Sequence, residues 1–297
     1  MARDFGLTLQ GARCVLSQKF ATYVGAPSRS EARLQAESQT PLNWDLPHDT
    51  HAAELAHHEA LYSGFAQEHF AKAGVRELRR HLVRRILEVT GAGKTSRIVS
   101  LGCGIGDTEL LLAKHVGFVA GFDLSPAAIR QARADAARLG ITNVEFCEGD
   151  AHGIAFGEAS FDTAIGIFFL HHVPDAETPA VIERIHRWLK PGGVFYGLDP
   201  NRYRLSGALG HWLVPCLMRR YQTPGERELK PRETAARFAT AGFQARSRCY
   251  DFASTPLAGL LPAWGLGYRA ARRLDEALIR VPGARSIGSN FELIARK

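Results

Sequence analysis

Short apolar runs alternate with helical segments between residues 97 and 200, and this alternation constrains the fold more than any other feature of the chain. The runs are rich in β-branched residues and have the length of buried strands. Helical segments lie near residues 107–115, 125–139 and 176–189. Five strands joined in this way predict βαβ crossovers, and therefore a parallel sheet with helices on both faces. The predicted strands cover residues 97–101, 116–123, 144–148, 161–168 and 193–199.

The chain on either side of this core has a different character. Residues 1 to about 50 show little periodicity, whereas residues 51–87 carry an apolar stripe at helical spacing. We therefore expect an N-terminal arm and helical cap over residues 1–95 and a second domain over residues 96–297. Within the second domain we expect a core at 97–200, lid or insert helices at 203–241 and 253–283, and further strands at 244–252 and 286–295.

The composition is that of a globular protein with a modest basic excess. Of 297 residues, 45% are hydrophobic and 23% charged, and the formal net charge is +7, which permits anionic partners. The densest basic spots, at residues 79–85, 219–220 and 272–273, are expected on solvated helix faces. Five widely spaced cysteines without a C-x-x-C pair predict neither a disulfide framework nor a metal site. Without an apolar signal segment near Met1, we expect a cytoplasmic location.

Residues 98–107, IVSLGCGIGD, contain the most informative local pattern. An apolar strand runs into glycines at three alternate positions, Gly102, Gly104 and Gly106, and a helix follows from Asp107. Glycine lets the backbone turn sharply and lets a ligand lie against it without an intervening Cβ atom. The pattern predicts a nucleotide-like ligand at the carboxyl end of the first strand. The alternative is a tight strand-to-helix turn without a ligand.

Acidic residues around this turn favour one class of ligand. Asp107 stands where the dinucleotide-binding pattern has Gly or Ala, and a carboxylate there would oppose a pyrophosphate. S-adenosyl-L-methionine carries no phosphate but has an ammonium group and a sulfonium cation. Asp123 ends the second strand, where a carboxylate can accept both ribose hydroxyls, and Asp150 follows the third strand within reach of an adenine amino group.

Five sequence blocks follow one another in this part of the chain: L-G-C-G-x-G, G-F-D-L-S, E-G-D-A, F-D-x-A-x-x-x-F-x-L-H-H-V-P-D and L-K-P-G-G. In this order they resemble the blocks of the Rossmann-like (class I) S-adenosylmethionine-dependent methyltransferases. The resemblance is greatest to the ubiquinone/menaquinone-biosynthesis-type small-molecule enzymes, and it covers residues 97–200. It implies an α/β fold with a seven-stranded, mostly parallel sheet, helices on both faces and a final antiparallel strand. The cofactor-binding residues that it implies are Gly102, Gly104, Gly106, Asp123, Leu124, Asp150, Ala151 and Phe168.

We expect the chain to be an enzyme that transfers a methyl group from S-adenosyl-L-methionine to a small, hydrophobic or lipid-like metabolite. His171, His172 and Asp199 lie at the carboxyl ends of neighbouring predicted strands and could supply a general base, although one histidine could instead only pack. The alternatives are a nucleic-acid methyltransferase and a non-catalytic S-adenosylmethionine-binding protein. Nucleic acid is not expected, because no [DN]-P-P-[YFW] block follows the fourth predicted strand. The acceptor atom and the oligomeric state stay open.

Residues 253–283, called the insert below, separate the last two predicted strands, which the resembling family usually joins by a tight hairpin. The insert begins without charge, contains Trp264, and then carries four arginines. This composition is typical of an element lying in a membrane interface. A lid that packs on Trp212, Leu213 and Leu217 is the alternative. We expect the insert to do both, with peripheral contact with an anionic membrane.

Overall fold

The structure is a computed structural model that describes residues 71–205 and 228–297. The predicted N-terminal arm, residues 51–70 of the predicted helical cap and residues 206–227 of the predicted lid segment lie outside the described residues. So do Trp212, Leu213 and Leu217, the expected packing partners of a lid.

Strands and helices alternate along the described chain, as the sequence predicts. The helices are α1 (Ala73–Thr90), α2 (Asp107–Leu112), α3 (Pro126–Arg138), α4 (Thr178–Trp188), α5 (Pro231–Thr240), α6 (Ser254–Leu260) and α7 (Gly265–Leu278). The strands are β1 (Arg97–Leu101), β2 (Phe118–Asp123), β3 (Val144–Glu148), β4 (Phe161–Ile167), β5 (Leu189–Pro200), β6 (Gln244–Asp251) and β7 (Asn290–Arg296). Short 3₁₀ turns follow at Leu170–His172 and Ala284–Ile287.

The seven strands form one sheet in the order β3-β2-β1-β4-β5-β7-β6. Strands β1 to β5 are parallel, and β7 runs antiparallel to both of its neighbours. The predicted fold, including the antiparallel last strand, is therefore confirmed. Ends of the second, fourth, fifth, sixth and last predicted strands are wrong by about one to four residues. The fourth strand stops at Ile167 because Phe168 adopts a positive φ of 55°, and the last strand begins at Asn290 because a 3₁₀ turn occupies Ala284–Ile287.

Helices cover both faces of the sheet, which is why its strands are apolar on both sides. On one face, Phe161 and Phe195 pack with Trp188 of α4 and Phe238 of α5. On the other face, the helices α1, α2 and α3 pack on the strands through a second cluster. That cluster includes Leu82, Ile86, Leu112 and Ile129 from the helices and Ile98, Ile165 and Tyr196 from the strands.

The basic residues of α1 do not all lie on a solvated face, and that prediction is wrong in part. Arg85 is half-buried and donates two hydrogen bonds to the carboxylate of Glu292, at 2.6 and 2.9 Å. Arg79 is also half-buried and lies 2.6 Å from Asp107. Only Arg80 and Arg84 of this group are exposed. Two of the four arginines thus fasten α1 to the sheet and to α2.

The insert forms α6 and α7, which pack on α1. Leu78 of α1, Ala258 of α6 and Tyr268 of α7 form a small buried cluster, and the Gly74 amide donates to the Pro262 carbonyl at 2.7 Å. Because β6 is parallel to β1–β5, the chain enters the insert region at the carboxyl edge of the sheet, after Asp251. The insert therefore lies at the edge where ligands bind in sheets of this kind.

Among the helices of the described residues, none combines the length and the apolar character needed to cross a bilayer. Within residues 71–205 and 228–297, no three His, Cys, Asp or Glu side chains converge in a way that could hold a metal ion.

Candidate functional site

The predicted glycine-rich turn lies at the carboxyl end of β1, near the middle of the sheet. Gly102, Gly104 and Gly106 all have positive φ angles, of 64°, 52° and 74°. Side chains rarely adopt this region, so the turn depends on glycine for its conformation. Gly106 is the N-cap residue directly before α2, and its amide donates to the Cys103 carbonyl at 3.0 Å. The backbone therefore makes a tight, internally bonded turn.

Packing also excludes larger residues from two positions of this turn. A Cβ atom at Gly102 would approach the Phe169 ring to 2.7 Å, and a Cβ atom at Gly106 would approach the Phe146 ring to 2.5 Å. Both rings belong to neighbouring elements of the same edge. The turn is consequently fixed between a ring that follows β4 and a ring in β3.

Asp123 connects the end of β2 to the glycine-rich turn. Its Oδ2 accepts a hydrogen bond from the Gly104 amide at 2.8 Å, and its Oδ1 accepts one from the Ser125 amide at 2.9 Å. These two bonds hold the carboxylate between the glycine-rich turn and the start of α3.

The other predicted cofactor residues lie at the ends of β2, β3 and β4. Leu124 is exposed directly after β2. Asp150 is half-buried and accepts from the His152 amide at 3.0 Å, and Ala151 beside it is buried. Phe168 is half-buried, and its amide donates to the Leu198 carbonyl at 2.7 Å while its φ is positive. Such a conformation costs a non-glycine residue free energy and is often found at functional sites.

His171, His172 and Asp199 lie together where β4 and β5 end. The Nδ1 atom of His171 lies 2.9 Å from Oδ1 of Asp199, and the two histidine rings are 3.9 Å apart between centroids. Asp199 is only 1% exposed, and burial raises the pKa of its carboxyl to about 8, although the His171 amide and the nearby His172 ring oppose the rise. A buried carboxyl and an imidazole that share a hydrogen bond can hold one proton between them.

Two acidic residues, Asp107 and Glu109, lie in the first turn of α2. Asp107 pairs with Arg79 of α1, so its charge is balanced by a cation from a distant segment. Glu109 is buried beneath β1 and accepts a hydrogen bond from Ser100 Oγ at 2.7 Å. Burial raises the pKa of Glu109 to about 7. Glu109 was not predicted from the sequence, because its burial depends on tertiary packing and not on a local pattern.

The residues of this edge fit S-adenosyl-L-methionine better than a ligand with a pyrophosphate. The fixed Asp123 carboxylate offers paired acceptors for neighbouring hydroxyls, and Asp150 offers an acceptor for an amino group. Asp107 pairs with Arg79, so the charge of this arginine is already balanced at the start of α2, where a phosphate would need positive charge.

Comparisons with known proteins agree with this chemistry. Residues 98–193 match the family described as methyltransferase domain. The chain is 33% identical over 146 residues to a phthiotriol/phenolphthiotriol dimycocerosates methyltransferase of Mycobacterium leprae, covering 49% of this chain and 51% of that relative. It is 37% identical over 123 residues to a 2-phytyl-1,4-naphtoquinone methyltransferase of Synechococcus elongatus, covering 40% and 52%. The chain thus spans about half the length of these curated relatives.

Solved structures share the fold at low sequence identity. A S-adenosylmethionine-dependent methyltransferase from Mesorhizobium loti superposes with a TM-score of 0.52 at 19% identity, over 77% of this chain and all of that chain. The [4+2]-cyclase SpnF superposes with a TM-score of 0.51 at 21% identity, over 73% of this chain and 80% of that one. Since a cyclase shares the architecture, the fold by itself does not specify the reaction.

Proposed function

We propose that this chain, which carries a methyltransferase domain of the S-adenosylmethionine-dependent class, transfers a methyl group to a small, hydrophobic or lipid-like metabolite. The observation that carries the proposal is the match of residues 98–193 to a methyltransferase domain, together with relatives named as a phthiotriol/phenolphthiotriol dimycocerosates methyltransferase and a 2-phytyl-1,4-naphtoquinone methyltransferase. The acceptor atom, whether oxygen, nitrogen or carbon, stays open.

We assign the binding of S-adenosyl-L-methionine to the carboxyl edge of β1, β2 and β3. Gly102, Gly104 and Gly106 would lie against its amino-acid part, and Asp123 would accept the ribose hydroxyls. The bonds from Gly104 and Ser125 to Asp123 support this role, because they hold the carboxylate before a ligand arrives.

The adenine and methionine ends would meet the residues that follow the neighbouring strands. Asp150 would accept from the adenine amino group, and Ala151 would offer its backbone amide beside it. Leu124 would cover the ribose side, and Phe168 would line the methionine end. The positive φ of Phe168 supports a functional constraint at that position.

When bound, S-adenosyl-L-methionine would supply a methyl group whose carbon a nucleophile can attack in line with the C–S bond, so that the positively charged sulfur leaves as a neutral thioether. The protein's own contribution is to align the acceptor, exclude water and, for a hydroxyl acceptor, remove a proton. We assign the removal of that proton to His171 or His172, with Asp199 as the carboxyl group that orients the imidazole ring. The contact of His171 Nδ1 with Asp199 supports His171, because it leaves Nε2 on the side of the ring away from the carboxylate.

A lipid-like acceptor would be met at or near a membrane. We therefore propose a cytoplasmic protein with peripheral contact with an anionic membrane, which the net charge of +7 supports.

Calorimetry with S-adenosyl-L-methionine and S-adenosylhomocysteine tests the cofactor assignment. Charge-assisted hydrogen bonds contribute about 1.5–3 kcal/mol each, so Asp123→Asn and Asp123→Ala should weaken binding by about tenfold or more. Asp135→Asn, on the outer side of α3, is the matched control and should bind like the wild type. Wild-type protein that binds neither compound, or that binds NADH tightly, would overturn the assignment.

An activity screen with radiolabelled cofactor tests the acceptor class. Purified protein is incubated with lipid extract, a mixture of soluble metabolites, or transfer RNA. Label in an extractable lipid or small molecule is the expected result. Label confined to transfer RNA would contradict the proposed acceptor.

A further inference from the structure

The insert exposes large apolar side chains that the described residues do not cover. Eleven large apolar side chains are exposed in the described part of the chain, and six of them lie in the insert. Leu266 is 69% exposed and Trp264 is 54% exposed. The full set in the insert is Leu260, Leu261, Trp264, Leu266, Leu274 and Val281. Single exposed apolar side chains are ordinary, but a concentration in one short segment marks an interaction surface.

The helix α7 has one face that is fixed to the protein and one that is not. Tyr268 and Asp275 are buried against α1, α6 and the end of β6. Leu266, Ala270 and Leu274 follow one another at a spacing of four residues, so they form one row on the opposite, exposed face. We call this row and its neighbours Leu260, Leu261 and Trp264 the outer face of the insert.

Positive charge lies beside this outer face. Arg269 and Arg273 are exposed on α7, and Arg280 is exposed just after it. Glu276 is the exposed acid of this helix, since Asp275 is buried. Arg272, which the composition grouped with the other arginines, is instead half-buried and donates to the Tyr250 carbonyl at 2.9 Å. Arg269 also lies 3.5 Å from Glu77 of α1, whereas Arg273 and Arg280 add exposed positive charge, so the charge beside the apolar row is basic in balance.

We infer that the outer face of the insert docks this protein on an anionic lipid bilayer. Leucines and a tryptophan beside arginines suit the interface, where apolar groups reach the acyl chains and long arginine side chains extend to phosphate headgroups. The net charge of +7 adds a general attraction to an anionic surface. A protein partner of matching charge and a second copy of the chain are outcomes that the test distinguishes.

The position of the insert connects this docking with the proposed site. The insert region starts after β6 at the carboxyl edge of the sheet, the same edge that carries the glycine-rich turn and the pair His171 and Asp199. A docked outer face would bring this edge to the membrane, where a lipid-like acceptor would be found. That benefit rests on the proposed function, whereas docking itself is measured without any reaction.

Vesicle flotation tests the docking. Vesicles of phosphatidylcholine alone or mixed with phosphatidylglycerol are floated with the full chain at low and high salt. We expect wild-type protein to float with the mixed vesicles at low salt and to be released by high salt, as electrostatic attraction is screened. The double variants Leu266→Ser/Leu274→Ser and Arg269→Glu/Arg273→Glu should each reduce the floated fraction about tenfold or more.

Matched controls separate docking from folding and from the proposed function. Leu139→Ser and Arg130→Glu change exposed residues in and just after α3 and should float like the wild type. Calorimetric binding of S-adenosyl-L-methionine to each variant reports on the fold and the cofactor site independently of lipid. Wild-type protein that stays out of the floated fraction at low salt overturns the inference even if it binds the cofactor. So does a dimer that the leucine variants convert to a monomer while no protein floats.

Discussion

The pair formed by His171 and Asp199 is the part of the site whose chemistry depends most on pH. The imidazole and the carboxyl share one hydrogen bond at 2.9 Å, and both are buried. If Asp199 is protonated, its hydroxyl donates to Nδ1 and the ring cannot act as a base through Nε2. If Asp199 is ionised, Nδ1 carries the proton and donates it to the carboxylate, and Nε2 can accept a proton from the acceptor.

For a hydroxyl acceptor, we therefore expect kcat to rise with pH through about 8, the pKa to which burial raises Asp199. Asp199→Asn and His171→Ala should reduce kcat by about 10²- to 10⁴-fold and leave the affinity for S-adenosyl-L-methionine within a few-fold. The measurement is a pH profile of kcat for each variant. His115→Ala, which changes an exposed histidine after α2, is the control. If His171→Ala and His172→Ala both keep kcat within a few-fold, the histidines only pack.

At the scale of elements, one buried carboxylate joins the two helices of the insert. Asp275 of α7 accepts hydrogen bonds from the amides of Phe252, Ala253 and Ser254, at 2.9–3.0 Å. These amides lie at the start of α6, where no preceding turn can accept from them. One side chain thus caps α6, fixes α7 against it and orients the outer face of the insert.

Asp275→Ala should lower the free energy of unfolding by about 2–4 kcal/mol, because it leaves three amides without their acceptor. Hydrogen exchange should accelerate first in residues 252–262, which lose the cap. Chemical denaturation and hydrogen exchange measure the two effects. Glu276→Ala, at the next residue of α7, removes only the 3.5 Å ion pair between the exposed Glu276 carboxylate and Arg272, and it should change stability by less than about 0.5 kcal/mol. Equal effects of the two substitutions would contradict this role of Asp275.

At the scale of the whole molecule, buried carboxyls make stability depend on pH. Burial raises the pKa of Glu109 from 4.5 to about 7, and it also raises the pKa values of Asp199 and Asp251. A carboxyl with a raised pKa in the folded state binds its proton more tightly there than in the unfolded chain. Its favourable contribution is complete below the unfolded pKa and is lost as the pH rises through the folded pKa.

Glu109→Gln should therefore leave stability near pH 4 nearly unchanged and increase the free energy of unfolding above pH 7 by about 1–3 kcal/mol. Between those limits, from about 4.5 to about 7, the curve of the variant should fall less steeply than that of the wild type. Chemical denaturation at a series of pH values measures both curves, with the exposed Glu158→Gln as control. A variant that is less stable than the wild type at pH 8 would show that ionised Glu109 stabilises the fold.

The sequence by itself determined the features that depend on neighbouring residues. The alternation of strands and helices between residues 97 and 200 predicts the sheet, because periodicity and β-branched content are local properties. The spacing of Gly102, Gly104 and Gly106 predicts the turn, because only the backbone conformation of a few residues is involved. Asp123 and Asp150 could be placed at the carboxyl edge of the sheet, because parallel strands bring their carboxyl ends together.

Only the tertiary structure decided which distant side chains meet. The sequence named His171, His172 and Asp199 together, but packing gives the contact with Asp199 Oδ1 to the ring of His171. It also brings Arg79 to Asp107 and buries Glu109 under β1. The insert could be recognised as unusual from its composition, but which side of α7 is buried depends on its contacts with α1. Local patterns do not encode such contacts, because they depend on how far each helix rotates and slides when the whole core packs.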